Sequence, residues 1–113
     1  MDKKIKVFSN SIRQWKEISK MTDKETENWN GRIIKKEGMK LIGENESIIH
    51  NCFLCEYEHE TGSCPLGRCD SDHASCMNNY TYKYWDTMPT QRDAKTFYYE
   101  LWLVFLNEIS ERN

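Results

Sequence analysis

Five cysteines fall between positions 52 and 76 of this 113-residue chain, and none lies outside that span. Four sit in the run CFLCEYEHETGSCPLGRC, as Cys52, Cys55, Cys64 and Cys69, and Cys76 follows seven residues later. Thiols clustered this tightly either pair as disulfides or converge on a metal, and which they do depends on the compartment. The N-terminal sequence MDKKIKVFSNSIRQW has no apolar run of signal-peptide length, and no stretch approaches the ~18 apolar residues of a membrane span. Mean hydropathy is -0.85. A cytoplasmic chain with no membrane partner is therefore expected, and in a reducing compartment the cysteines point to metal. Their odd number agrees, because four ligands leave one spare thiol, whereas a disulfide framework leaves an unpaired one.

CFLC (52–55) has the CxxC spacing with which one tight turn presents two thiolates to one ion. Cys64 and Cys69 have four residues between them, within the range of a zinc half-site. The simplest ligand set is Cys52, Cys55, Cys64 and Cys69, and a rival set replaces Cys69 with Cys76. His50, His59 and His73 are further candidates. Zinc is the expected cofactor, since the spacing fits neither ferredoxin pattern for an iron–sulfur cluster. A catalytic zinc needs an open position and a carboxylate base. Glu56, Glu58 and Asp72 are near in sequence, but four available thiols favour a closed, structural site. Its loss should unfold the segment, which has few apolar residues beyond Phe53, Leu54 and Leu66.

Around this segment the sequence predicts a single α+β domain over residues 1–113, with terminal helices, metal-binding loops at 50–76 and a short sheet or hairpin. Ile5, Phe8, Ile12, Trp15 and Ile18 recur at intervals of three and four, which predicts a basic amphipathic helix over 1–21. Residues 22–31 read as an acidic linker. RIIKKEGMKLIG (32–43) reads as a hairpin turning at Glu37 and Gly38, with a helix as the alternative. YTYKYW (80–85) alternates Tyr80, Tyr82 and Tyr84 with Thr81, Lys83 and Trp85, which predicts a strand. Thr90 is a candidate N-cap for a helix over 90–112, with Asp93 three residues on. Its core face would be Ala94, Phe97, Tyr98, Leu101, Phe105 and Ile109. LWLVFL (101–106) is apolar without a break, so Trp102, Val104 or Leu106 must point away from that face and are candidate partner-binding residues.

Charge is balanced overall, 16 basic against 18 acidic residues, but not locally. Residues 1–20 carry six basic and two acidic groups, and residues 44–72 one basic and seven acidic. A four-thiolate zinc site would make the latter region more acidic still. Nucleic-acid binding, as in zinc ribbons, is the alternative function. It would use the Tyr80–Tyr82–Tyr84 strand with Lys83 and Trp85 for stacking, beside Arg13 and Lys16. The chain has no GxSxG, P-loop, HExxH or HxE deaminase signature, so no enzymatic activity is expected.

WKEIS (15–19), CFLC (52–55), CPL (64–66), Cys76, the pair Tyr84 and Trp85, and FLNEI (105–109) together resemble small cysteine-rich proteins encoded by tailed bacteriophages. That pattern has a further cysteine three residues before the Cys-Pro pair, where this chain has Thr61, and residues 32–49 stand as an insertion. The resemblance implies zinc binding by Cys52, Cys55, Cys64 and Cys76, with Cys69 spare. It implies a phage accessory protein of the host bacterial cytoplasm, with no established activity. Its expected partner is a host, defence or phage protein, or a second copy joined through the C-terminal helix.

Overall fold

A computed structural model describes residues 3–43 and 80–111. They form four helices: α1 (Lys3–Ser19), α2 (Gly31–Leu41), α3 (Tyr80–Thr87) and α4 (Gln91–Glu111). No strand occurs among the described residues, so the α+β expectation is overturned and this part of the protein is all-helical. The metal-binding segment expected at 50–76, with all five cysteines, lies outside the described residues.

Helix α1 follows from its apolar spacing. Phe8, Ile12, Trp15 and Ile18 are buried along one side, where α4 packs. Ser11 and Gln14 are buried as well and widen that contact surface. Gln14 donates from Nε2 to the Lys35 carbonyl in α2 at 3.0 Å, so α1 is held on two sides. After α1 the chain turns, and Thr22 and Glu25 form a reciprocal capping pair. The Thr22 amide donates to Glu25 Oε1, and the Glu25 amide donates to Thr22 Oγ1, each at 3.2 Å. The region read as an acidic linker is thus locally ordered by the Thr-x-x-Glu spacing.

The predicted hairpin at 32–43 is instead α2. Asn30 caps it by accepting from the Ile33 amide at 2.9 Å, and Gly43, at φ +77°, ends it in the left-handed conformation that glycine adopts without strain. The error lies in Gly38. A glycine between two apolar runs suggests a turn, yet here it is buried inside the helix, where a Cβ would sit 2.9 Å from Ile18 Cγ1. Glycine permits the close approach of α2 to α1.

The predicted strand at 80–85 is α3. Its aromatic residues suit a strand intrinsically, but Tyr82 and Trp85, three apart, share a helical face and are both buried in the core. Burial outweighs β propensity, which spans only about 1 kcal/mol. Trp15 is the centre of the resulting cluster. Its ring lies 4.7 Å from Trp85, 4.7 Å from Phe97 and 6.0 Å from Tyr82, at interplanar angles of 73° to 75°. These are the edge-to-face arrangements that aromatic quadrupoles favour.

Pro89 separates α3 from α4, and Thr90 caps α4 by accepting from the Asp93 amide at 3.2 Å. A second cap comes from far along the chain: the Gln91 amide donates to Asp23 Oδ1 at 2.7 Å. A carboxylate here satisfies one free helix amide and complements the positive end of the helix dipole. Gln91 Nε2 in turn donates to the Ser19 carbonyl at 3.0 Å. Replacing Asp23 with alanine should lower stability by about 1 kcal/mol, the usual loss for an N-terminal cap, measured by urea denaturation. An unchanged midpoint would show that Thr90 suffices.

Candidate interaction surface

Helix α4 is apolar around more of its circumference than the core uses. Ala94, Phe97 and Leu101 are buried, and Tyr98, Val104 and Phe105 are half-buried against the same cluster. This places Val104 on the core side, so it is not part of an exposed partner surface. A second stripe faces outward: Tyr99 is 67% exposed, Trp102 37%, Leu103 65%, Leu106 53% and Ile109 36%. Ile109, expected in the core face, belongs to this stripe instead. The intervals of three and four that connect these residues align them on one side of the helix, over about 15 Å at 1.5 Å per residue.

The stripe is anchored at its edges. The Trp102 ring meets that of half-buried Phe105 at 5.8 Å and 67°, and Tyr99 meets Tyr98 at 5.9 Å. Near the C-terminal end of α4, Lys4 Nζ pairs with Glu108 Oε1 at 3.2 Å and ties that end to α1. At the other end, Arg92 and Lys95 are exposed on the same side as the stripe, seven and four residues before Tyr99. Neither forms an ion pair among the described residues. The face therefore runs from cationic at the start of α4 to apolar along the rest. Apolar residues scattered singly over a surface are ordinary, whereas a continuous aromatic and aliphatic stripe marks a contact surface. The sequence signal that identifies Tyr99, Leu103 and Ile109 is their helical registry with Trp102 and Leu106, which the unbroken LWLVFL run hides.

The residues proposed for nucleic-acid stacking are not brought together. Trp85 is 1% exposed and Tyr82 5%, both within the core, while Tyr84 points outward. Lys83 is exposed on α3. Arg13 lies at the end of α2, where its Nη2 donates to the Ile42 carbonyl at 3.4 Å, so it serves the C-terminus of a helix. Lys16 is exposed on α1. With the strand replaced by a helix and Trp85 enclosed, no base-stacking platform forms from these residues.

Cys52, Cys55, Cys64, Cys69 and Cys76 lie outside the described residues, as do His50, His59 and His73. Among the described residues no group of three or more His, Cys, Asp or Glu side chains is placed to hold a metal. None of the described helices is long and apolar enough to cross a membrane. The described residues thus form an all-helical unit with an exposed apolar helix face. Comparison with protein-family models, with curated proteins and with solved structures gave no match.

Proposed function

We propose that this protein is a non-catalytic binding protein that docks another protein on the outward stripe of α4, on a framework stabilised by one structural zinc ion. The alignment of Tyr99, Trp102, Leu103, Leu106 and Ile109 on one exposed helix side carries this reading. Large side chains held in place by neighbours are the kind that contribute most at interfaces, because little conformational freedom is lost when they are covered. The zinc reading rests on the spacing of the cysteines, and Cys76 is favoured over Cys69 by the resemblance to phage-encoded proteins. That resemblance also supports an accessory role in a bacterial host cytoplasm, with a host, defence or phage protein, or a second copy of the chain, as partner. Nucleic-acid binding has less support, because Trp85 and Tyr82 are core residues.

Two measurements test the proposal. The full chain and a Trp102→Asp/Leu106→Lys variant, both shown by circular dichroism to be folded, are immobilised and used to capture proteins from a bacterial lysate to which free copies of the chain have been added. A protein held in stoichiometric amount by the wild type and lost with the variant is the expected result. Identical capture by both would remove the stripe from the function. Elemental analysis of the purified chain should find about one zinc per molecule. Of the Cys69→Ser and Cys76→Ser variants, only the second should lower that content. Iron, or no metal, would overturn the zinc site.

A further inference from the structure

We infer that the occupant of the α4 stripe is a second copy of this chain, with the two α4 helices antiparallel across a twofold axis. The inference rests on the stripe being a protein-docking face, and the charge pattern of the helix supplies the partner. Arg92 and Lys95 lie in the first two turns of α4 and are exposed on the side of the stripe. They are badly placed for their own helix, because cations near a helix N-terminus oppose the dipole. In an antiparallel pair centred on residue 104, Lys95 falls about 3 Å past the Glu111 end of the other α4, which carries the opposite partial charge, and Arg92 lies farther out. A parallel pair would instead set four cations side by side.

The apolar residues obey the same symmetry. The stripe from Tyr99 to Ile109 is centred on residue 104, so a twofold axis there sets Tyr99 of one copy against Ile109 of the other, and Trp102 of one against Leu106 of the other. Each aromatic residue then meets an aliphatic one. Such a patch is complementary to itself, which is what a closed twofold dimer requires and what growth into open chains does not. The Lys4 to Glu108 pair keeps Glu108 on the α1 side of the helix, so this carboxylate is not trapped under the apolar contact, where it would be costly.

Light scattering coupled to gel filtration, with the full chain loaded at about 50 μM so that a micromolar dimer is populated, tests this directly. The expected mass is twice 13.5 kDa, or 27.0 kDa. Leu106→Lys and Leu103→Lys, each checked for helical content, should run as monomers. Lys95→Glu should weaken the dimer about tenfold, since the twofold axis makes the reversed dipole contact twice. A wild-type monomer overturns the inference, and so does a dimer unaffected by Leu106→Lys. A charge-reversed variant that dimerises as well as the wild type overturns the antiparallel arrangement. If the wild type is monomeric but still retains a bacterial protein through Trp102 and Leu106, the binding function stands and only the second copy is lost.

Discussion

Replacing Trp15 with alanine should cost about 3–5 kcal/mol, the range for removing a large aromatic residue from a packed core. Three aromatic rings rest on this side chain, one from α4 and two from α3, so its loss removes ring contacts that tie both helices to α1. The cavity should not refill, because the surrounding rings hold one another: Tyr82 lies 5.5 Å from Phe97 and 5.9 Å from Trp85. Single domains are stable by only about 5–15 kcal/mol, so the variant should approach the limit of folding. Urea denaturation followed by far-ultraviolet circular dichroism measures the loss. A drop below about 1 kcal/mol would show that the cluster repacks and that Trp15 is not its centre.

Gly38→Leu should cost about 2–3 kcal/mol, as an overpacked site does. The first added carbon already sits 2.9 Å from Ile18 Cγ1 and 3.2 Å from Gln14 Cγ, and both neighbours are buried. A leucine there must push α2 away from α1, which would also stretch the Gln14 to Lys35 hydrogen bond. Alanine is the informative control. It gains about 1 kcal/mol of helix propensity over glycine but makes the same first contact, so the two effects oppose each other. A leucine variant as stable as the wild type would mean that α2 is not closely packed on α1. Loss of the Lys35 carbonyl bond, read by the chemical shift of the Gln14 side-chain amide, would locate the damage.

The terminal helices were legible because burial imposes a period. Phe8, Ile12, Trp15 and Ile18 fall at intervals of three and four, and the structure buries all four. Thr90 was legible as a cap because capping is local chemistry. The middle elements were not, and both failures have the same cause. At 32–43 and 80–85 local composition points to a turn and a strand, whereas contacts with α1 decide the outcome. Gly38 is fixed by Ile18, and Tyr82 and Trp85 by Trp15, partners that no local window includes. The outward stripe was half legible: Trp102 and Leu106 follow from LWLVFL, but Val104 falls on the core side once the helix is given its actual phase. Lys35 Nζ, which donates to the Tyr82 hydroxyl at 2.7 Å, shows the same limit, since its partner is 47 residues away.

The bond from Gln91 to the Ser19 carbonyl spans 72 residues of sequence, and this separation sets the order in which the protein can form. On a ribosome, Trp15 emerges long before Phe97 and Leu101 exist to cover it, so a nascent chain carries an exposed aromatic ridge for most of its synthesis. Refolding meets the same obstacle as a search: α1 and α4 must meet across a long stretch of chain before their shared core forms, which is slow for a helical protein. A metal held by the intervening cysteines would shorten that stretch and reduce the entropy lost on closing it. Its contribution would then appear in the folding rate, with faster closure of α4 onto α1 in the presence of zinc.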